Sequence, residues 1–264
     1  MTKNHDNSTS AEPIQDETVV DHESLRRSGD QIWSSASQVL SLLKIDDYVE
    51  SSLVENKYQH IKFKKNKRIC LAGKSAKNLF VVHSGYLKTS WSDEHGYEKI
   101  LNFPMRGDII GLNSIVEKKY QNDVVSLSDV DLIVVPSTID AFHDKNSRTF
   151  SNRIIEVLLN ELIASQYLEH QLSKLRGEAR VAKFLLLMGE KHSSLGYSRL
   201  SFNLPMTRED IGSYLGLTLA SVSRILSEFN QMGIVTVSGK SIQINDQAAL
   251  ERLRNMNEIR APDG

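Results

Sequence analysis

The stretch from Met206 to Phe229, MTREDIGSYLGLTLASVSRILSEF, combines small, polar and basic residues at spacings that suit contact with a DNA groove. In a helix that starts after Thr218, one face carries small or polar residues and one arginine: Ala220, Ser221, Ser223, Arg224 and Ser227. Small side chains allow the backbone to approach base edges, and hydroxyls can bind bases or phosphates. An arginine can donate to O6 and N7 of guanine, which discriminates by about 1–3 kcal/mol. This face therefore predicts a helix that reads the major groove.

Two helices joined by a glycine turn would position this face. Thr207 and the following Arg208-Glu209-Asp210 are typical of a helix start, with a hydroxyl cap and acidic residues in the first turn. This helix would end at Gly216, and Gly212 would leave room for a close second helix, which Thr218 would cap. The first helix is expected to bury Ile211, Tyr214 and Leu215. The second is expected to bury Leu219, Val222, Ile225, Leu226 and Phe229.

The next segment, GIVTVSGKSIQIND, contains two alternating apolar runs joined by Ser238-Gly239-Lys240, which is typical of a β-hairpin. Lys240 at the hairpin tip and Arg208 at the helix start are candidate phosphate contacts, which position a protein without specifying sequence. Residues 177–264 are therefore predicted to form a winged helix-turn-helix. The alternative is an αα-hairpin with a solvated serine-rich face, which would make the caps and the hairpin a coincidence.

The segment preceding this unit predicts a long helix over residues 148–176, because it has no proline and carries two apolar stripes. The proposed dimer seam contains Leu158, Leu162, Ser165, Leu168 and Leu172. A second stripe contains Ile155, Leu159 and Ile163. Two stripes can pack against two partners, here the preceding domain and a second copy of the chain, so we expect a homodimer that forms without a trigger. The alternative is a core helix of a single domain.

Residues 29–147 are predicted to form a jelly-roll domain, because short alternating or apolar runs between Tyr58 and Pro136 are separated by turn residues. Expected strands cover 79–83, 86–91, 99–103 and 131–135. Residues 31–51 show helical spacing, with an apolar side formed by Ile32, Val39, Leu40, Leu43 and Tyr48. Residues 1–28 are polar and predict a disordered tail.

Composition narrows the functional classes. The 264 residues carry a formal net charge of −1, and an acidic segment from Met1 to His22 leaves the rest of the chain mildly basic. Near-neutral charge does not exclude DNA binding, because a regulator needs only a local basic stripe. We expect no membrane span and no signal peptide, since no apolar run is long enough and the N-terminal charge order is wrong. The expected location is the cytoplasm.

Catalytic and metal-binding patterns are weak in this sequence. It has no H-x-H cluster of cupin enzymes, no G-x-S-x-G and no phosphate-binding glycine loop, so we expect no enzyme. None of its histidine pairs has the i, i+2 or i, i+4 spacing of a strand or helix metal site, so no metal ligands are predicted. His83 as a haem ligand and Cys70 as a thiol sensor remain alternatives. Burial of Cys70 as a small apolar side chain is favoured.

The chain resembles the Crp/Fnr family of bacterial transcription regulators from Tyr58 to Asn255. The resemblance rests on VVHSGYLKT and GDIIGL, on RGEARVAKFLL, and above all on LPMTREDIGSYLGLTLASVSRILSEFNQMGIVTVSGKSIQIND. It implies an α+β fold: an N-terminal jelly-roll barrel of the cyclic-nucleotide-binding type, a long dimerisation helix and a C-terminal winged helix-turn-helix. The implied partners are a near-palindromic site in double-stranded DNA, RNA polymerase and a second copy of the chain.

The resemblance also locates the base-reading positions. Ser223 and Arg224 match the Ser-Arg pair of the Fnr-like branch, and Ser221 lies where a hydroxyl residue is common. Ala220 occupies the position usually held by glutamate, which would accept from N4 of cytosine. We therefore expect guanine readout by Arg224 to persist and the preference at the neighbouring base pair to change.

The effector motifs of both well-known branches are missing. After Gly107-Asp108-Ile109-Ile110-Gly111 the chain has no Glu for a ribose and no Arg-Ser pair for a cyclic phosphate, so cyclic AMP is not expected in the usual mode. The oxygen-sensing branch uses four cysteines, whereas this chain has only Cys70, and Ile133 lies about where the internal cysteine would be. No cofactor is predicted, and the effector stays unknown.

These observations predict a homodimeric regulator that acts without an iron–sulfur cluster, and as an activator in some contexts. One alternative is a haem- or thiol-based sensor of redox state or gas from the same family. The other is a regulator that binds proteins and has lost specific DNA binding, for which the alanine at position 220 is the reason.

Overall fold

The computed structural model describes residues 32–44, 57–136, 155–160, 162–163 and 175–254. The predicted tail over 1–28 lies outside the described residues, as does most of the predicted long helix, including Ser165, Leu168 and Leu172. The limits of the four predicted segments given above therefore stay predictions. In the part of the chain that is described, no helix is both long and apolar enough to cross a membrane.

The N-terminal unit consists of two antiparallel sheets that pack face to face. Its elements are β1 Trp33–Ser35, α1 Ala36–Leu42, β2 Lys57–Phe63, β3 Arg68–Cys70, β4 Asn78–Ser84, β5 Leu87–Ser92, β6 Glu98–Asn102, β7 Ile109–Ile110, α2 Ser114–Glu117, β8 Asp123–Ser126 and β9 Val130–Pro136. The strand order is β1-β2-β9-β4-β7 in one sheet and β3-β8-β5-β6 in the other. The predicted jelly-roll architecture of short antiparallel strands in two packed sheets is confirmed.

Apolar side chains point alternately to the two faces of the five-stranded sheet, and both faces are packed. Its inner face packs on the opposite sheet through apolar residues that include Phe80, Val82 and Leu132, which cluster with Leu87 of that sheet. Its outer face packs on α1 through a second apolar cluster that includes Val39, Leu43, Val81 and Ile133. A strand buried on both faces reads as a continuous apolar run, which explains the sequence LFVV in β4.

The prediction of a helix throughout residues 31–51 is wrong at its start. Residues Trp33–Ser35 form β1, which pairs with β2, and Ile32 is exposed rather than part of an apolar helix face. The helix begins at Ala36 because Ser35 and Gln38 form a capping box: the Ser35 hydroxyl accepts from the Gln38 amide, and the Gln38 side chain accepts from the Ser35 amide. This local cap sets the helix start, which the apolar spacing alone did not show.

The C-terminal unit contains four helices and a three-stranded sheet. Its elements are α3 Gly177–Ser194, β10 Ser201–Asn203, α4 Arg208–Leu215, α5 Leu219–Gln231, β11 Val235–Ser238, β12 Ser241–Ile244 and α6 Gln247–Arg254. The sheet order is β10-β12-β11. Between the two units, helical residues at 155–160 and 162–163 are described.

The two units share one apolar core. Side chains from α3, α4, α5 and the small sheet cluster with Ile100, Phe103 and Leu127 of the barrel. Phe103 contacts Phe184 and Tyr214, with ring centroids 6.1 and 5.4 Å away, respectively. The first helix of the helix-turn-helix is thus held against β6 and the loop that follows it.

Candidate nucleic-acid interface

Helix α4 begins where the sequence predicts it. The Thr207 hydroxyl accepts from the Asp210 amide at 3.0 Å, and an Asp210 carboxylate oxygen accepts from the Thr207 amide at 2.9 Å. The helix ends at Gly216, which has a φ of 65° in the left-handed region that glycine adopts without strain. A side-chain carbon added at Gly212 would lie 2.6 Å from the Leu217 carbonyl oxygen, so the close approach predicted at this glycine is confirmed.

Helix α5 is held by one apolar face. Thr218 caps it by accepting from the Ser221 amide at 3.1 Å, and Val222, Ile225, Leu226 and Phe229 are buried. Leu219 was predicted on the same face, but its side chain is 52% exposed. It is the first helical residue after the cap, and α4 and the turn do not cover it.

The opposite face of α5 carries the predicted DNA-binding residues. Thr218, Ala220 and Arg224 are exposed, and Ser221 and Ser223 are partly exposed. The hydroxyl of Ser221 hydrogen-bonds to that of Thr218 at 2.9 Å. These five residues therefore form one continuous surface, and its small side chains permit a close approach to base edges.

Arg224 is available but is not free. Its side chain is 59% exposed, and its guanidinium donates to a Glu228 carboxylate oxygen at 2.6 Å and lies 4.0 Å from Glu178. Exposed pairs at i, i+4 stabilise a helix by only about 0.3–0.5 kcal/mol. The arginine can therefore exchange Glu228 for another partner at small cost to the fold.

The predicted hairpin is confirmed, and it lies beside the start of α4. Strands β11 and β12 pair in antiparallel register, and Gly239 at the turn has a φ of 58°. The Arg208 guanidinium donates to the Gly239 carbonyl at 3.2 Å, and the Lys240 ammonium donates to the Pro205 carbonyl. Burial lowers the pKa of Arg208, and burial together with the charge of Lys65 lowers the pKa of Lys240. Both candidate phosphate contacts thus border the helix-turn-helix.

Polar contacts bind α4 to the barrel, and the sequence did not predict them. The Lys88 ammonium of β5 lies 2.8 Å from an Asp210 carboxylate oxygen, and the Ile100 amide of β6 donates to the Ser213 hydroxyl at 2.9 Å. The Lys99 ammonium donates to the carbonyls of Ser213 and Tyr214. The two helices of the predicted DNA-binding motif are therefore oriented by the barrel as well as by their own core.

The Lys88–Asp210 pair is partly buried. Burial alone would raise the pKa of Asp210, but hydrogen bonds from Lys88 and Thr207 outweigh burial and hold that pKa below the usual range of Asp. Burial likewise opposes the charge of Lys88, yet the bond to Asp210 and the charge of Glu98 raise its pKa. Both groups therefore stay charged over a wide range of pH.

Comparisons with known proteins agree with this architecture. Residues 179–253 match the Crp-like helix-turn-helix domain, and residues 60–144 match the cyclic nucleotide-binding domain. An anaerobic regulatory protein of Aggregatibacter actinomycetemcomitans is 32% identical over 189 residues, which are 71% of this chain and 73% of that protein. This chain belongs to the Crp/Fnr family of transcription regulators.

Other Crp/Fnr relatives show the same extent of similarity. A fumarate and nitrate reduction regulatory protein of Yersinia pestis is 32% identical over 190 residues, covering 72% of this chain and 76% of the relative. The structure of FixK2 from Bradyrhizobium japonicum matches with a TM-score of 0.67 at 26% identity, covering 74% of this chain and 96% of FixK2. The similarity thus includes both the barrel and the helix-turn-helix.

In this Crp/Fnr protein a cavity of about 530 Å³ lies between the barrel and the C-terminal unit. Much of its lining is apolar and includes Ile100, Leu112 and Val124. Its cationic lining groups are Lys99 and Lys191, and Lys191 lies 3.3 Å from Asp108. No arginine is among the described residues that line this cavity, and arginine is the residue best suited to clamp a phosphate.

Cys70 also borders the cavity, but its thiol is buried. The side chain is 1% exposed, which confirms the predicted burial. Burial, with a smaller effect from the charge of Asp123, raises the pKa of Cys70 well above its usual range, even though a hydrogen bond with Tyr120 lowers it. A thiolate is the reactive form of cysteine, so the thiol-sensor alternative loses support.

The structure also brings together residues that the sequence left apart. His60 of β2, His83 of β4 and Asp131 of β9 place their ligand atoms within 4.8 Å of one another on the outer face of the five-stranded sheet. The expectation of no metal ligands considered spacing along the chain and not pairing between strands. His60 did not stand out in the sequence, because 71 positions separate it from Asp131.

Proposed function

We propose that the chain works as a homodimer that reads a near-palindromic operator with α5 of each copy. The observation that carries this proposal is the exposed small and polar face of α5, with Arg224 near its middle. Arg224 would donate to a guanine, while Ser221 and Ser223 contact bases or phosphates and Arg208, Thr218 and Lys240 contact phosphates. Ala220 would make only an apolar contact, for example with a thymine methyl.

Exposed apolar side chains between the two units support the dimer. On the described helical residues of this region, Leu158 is 38% exposed and Leu162 is 54% exposed. Ile155, Leu159 and Ile163 of the second stripe are also exposed, so these three residues do not show the expected packing of that stripe on the preceding domain. A row of this kind in contact with water is unfavourable and is typical of a surface covered by a partner. A second copy would pair Leu158 and Leu162 across a two-fold axis, and Ser165, Leu168 and Leu172 would extend the same seam.

The effector proposal rests on the ligand groups the chain can supply. With Cys70 as its one cysteine, and that residue buried, one chain cannot hold a four-cysteine iron–sulfur cluster. The largely apolar cavity with two lysines does not offer the arginine clamp expected for cyclic AMP. We therefore propose regulation of transcription in the cytoplasm, through contact with RNA polymerase, by a protein that is not an enzyme and needs neither group.

Selection from a random duplex DNA library tests the DNA-reading proposal. The purified chain, without added ligand and at about 0.15 M salt, should enrich a two-fold-symmetric site with a guanine in each half. Arg224→Ala should abolish the enrichment, whereas Arg252→Ala, which removes an equal charge from the exposed end of α6, should retain it. Unchanged enrichment by Arg224→Ala would contradict the assigned role of α5.

Sedimentation tests the dimer separately. The wild-type chain should sediment as a dimer at micromolar concentration, and Leu162→Glu should shift it to monomer because a charge would then face the seam. Val116→Glu, at an exposed apolar position of α2 away from the seam, is the matched control and should stay dimeric. A wild-type chain that is mostly monomeric would contradict the dimer.

A further inference from the structure

We propose that His60, His83 and Asp131 form a binding site for a divalent transition-metal ion, with zinc as the best fit. The three side chains come from three neighbouring strands of the five-stranded sheet, β2, β9 and β4. Two imidazole nitrogens and one carboxylate oxygen are a common ligand set for zinc, and an open fourth position can hold water. The site lies on the sheet face opposite the core between the two sheets and is separate from the DNA-reading surface.

Strand pairing puts the three side chains on one face. His60 pairs with Ile133, and Lys62 pairs with Asp131, so His60 and Asp131 are diagonal neighbours across β2 and β9. The register between β4 and β9 shifts between Val82 and Ser84, so His83 lies in a β-bulge. A bulge changes the direction of a side chain, and here it turns His83 towards Asp131.

The ligand atoms lie at separations that a small ion can bridge. The Nδ1 atom of His60 is 2.8 Å from one Asp131 oxygen, and the Nδ1 atom of His83 is 3.5 Å from the other. Bonds of about 2.0–2.1 Å in a tetrahedral site place ligand atoms about 3.4 Å apart. The contact with His83 is close to this separation, and the contact with His60 needs to open by a fraction of an ångström. Because the two histidines contact different oxygens, binding through a single oxygen also requires a rotation of the Asp131 carboxylate.

A second contact orients the His60 ring. Its Nε2 atom lies 2.8 Å from the buried Ser34 hydroxyl of β1, which can either donate or accept. Without metal, Nδ1 donates to Asp131 and Nε2 accepts from Ser34. With metal, Nδ1 would give its lone pair to the ion and Nε2 would donate to Ser34. The hydroxyl therefore supports both tautomers, as outer contacts do in known metal sites.

The same Ser34–His60–Asp131 series has the order of a hydrolytic triad, but its serine cannot act as a nucleophile. Ser34 is 6% exposed, so a substrate carbonyl cannot reach its hydroxyl. His83 is the open side of the cluster instead, with 40% of its side chain exposed. An ion can therefore enter beside the exposed part of the His83 ring and reach its buried Nδ1 atom.

His83 supplies an independent indication of a ligand. Its Nδ1 atom is buried and makes no hydrogen bond, whereas buried nitrogen atoms in folded proteins are usually paired. A bond to an ion would satisfy this atom. Two cations oppose the site: Lys62 shares the sheet face with Asp131, and the Arg106 guanidinium donates to the His83 carbonyl at 2.8 Å. We therefore expect affinity in the micromolar range and not that of a permanent structural zinc.

Titration of the chelator-treated full chain with zinc chloride in a calorimeter tests the proposal. The wild-type chain should bind one equivalent, and His83→Gln should weaken this binding tenfold or more while leaving the fold intact, because His83 is partly exposed. Asp131→Asn should weaken it similarly. His95→Gln is the matched control, since His95 is an exposed turn histidine outside the cluster.

Cobalt and magnesium chlorides make the test chemically specific. Cobalt bound by nitrogen and oxygen ligands in a four-coordinate site should give visible absorption that His83→Gln loses and His95→Gln keeps. Magnesium should not bind, because it prefers oxygen ligands. Circular dichroism of each variant confirms that it is folded. Equal zinc affinity in wild type and His83→Gln, or no saturable binding by wild type at about 0.1 mM zinc, would overturn the proposal.

Discussion

Helix α5 and the outer face of the five-stranded sheet hold their ionisable side chains in opposite ways. Arg224 is 59% exposed and pairs with a residue four positions further along the same helix. His60 is 5% exposed and is fixed by Asp131 and Ser34, which lie 71 and 26 positions away. The arginine can change partners while the fold is kept, whereas the histidine depends on the strand register. A surface that reads DNA requires the first arrangement, and a site of fixed geometry requires the second.

The largest expected effect is on stability and comes from Phe229, a buried side chain that holds α5 in the core. Phe229 is 2% exposed in the shared core, so Phe229→Ala should lower the free energy of unfolding by about 3–5 kcal/mol. Met232→Ala, at an exposed position just past the same helix, is the control and should change little. Urea unfolding followed by circular dichroism measures both. A loss below about 1 kcal/mol for Phe229→Ala would mean that α5 is not held by its apolar face.

The next effect concerns the cluster of His60, His83 and Asp131 on the sheet, called the sheet cluster below, and tests whether the carboxylate of Asp131 stabilises the fold. Asp131→Ala leaves His60 buried without its partner and should cost about 2–3 kcal/mol in chelator-treated protein. Asp129→Ala removes a carboxylate from the exposed pair with Lys64, in the turn just before β9, and should leave stability nearly unchanged. The same urea experiment compares them. Equal losses of stability in the two variants would show that the buried His60–Asp131 pair contributes no more than the exposed Lys64–Asp129 pair.

A substitution at Ala220 should alter DNA reading without altering the fold. Ala220→Glu restores an acceptor beside Arg224, so selected half-sites should gain a cytosine contact, with a preference of about 1–3 kcal/mol over other bases. Because residue 220 is exposed, thermal unfolding should stay unchanged. Library selection with both proteins measures the preference. Identical selected sites would show that residue 220 does not face a base.

The smallest effect depends on pH and concerns the pair of Lys88 and Asp210, where the barrel meets the C-terminal unit. The pKa of Lys88 is raised from 10.5, so its contribution is complete below that value and is lost as pH rises through the folded pKa. The pKa of Asp210 is lowered from 3.8, so its contribution is present above that value and is lost as pH falls through the folded pKa. The pair thus stabilises the docked domains from about pH 4 to 10.5.

Lys88→Met should therefore reduce the loss of stability on acidification below about pH 4, by about 1 kcal/mol. Urea unfolding at neutral pH and at about pH 3 measures the difference, and Lys64→Met, which removes an exposed partner of Asp129, is the control. An acid response that is the same in Lys88→Met and wild type would show that the junction does not depend on this pair.

Local signals explain why the helix-turn-helix could be predicted from sequence. Its caps at Thr207 and Thr218 and its turn at Gly216 are formed by residues within a few positions of one another, and all three are observed. The prediction that Leu219 is buried was wrong, because periodicity alone cannot show where the covering element ends. The prediction that Ile32 lies on an apolar helix face was wrong, because a strand that pairs with distant residues forms there in place of the expected helix.

The sheet cluster could not be predicted from sequence in this way. Its geometry needs the register between β2 and β9 and the shift at Val82 and Ser84, and neither leaves a local pattern. The contacts of Lys88 and Lys99 with α4 were missed for the same reason, since 122 positions separate Lys88 from Asp210. From sequence alone, a lysine on a strand is expected to be solvent-exposed, and only the position of the other domain shows that it is not.

Asp210 divides its two carboxylate oxygens between two tasks. One oxygen accepts from Lys88 of the barrel, and the other accepts from the amide and hydroxyl of Thr207 at the start of α4. If the contact with Lys88 is lost, only the first oxygen exchanges its partner for water, and the second keeps its bonds to Thr207. The start of α4 is therefore fixed by its own cap and does not depend on this contact with the barrel.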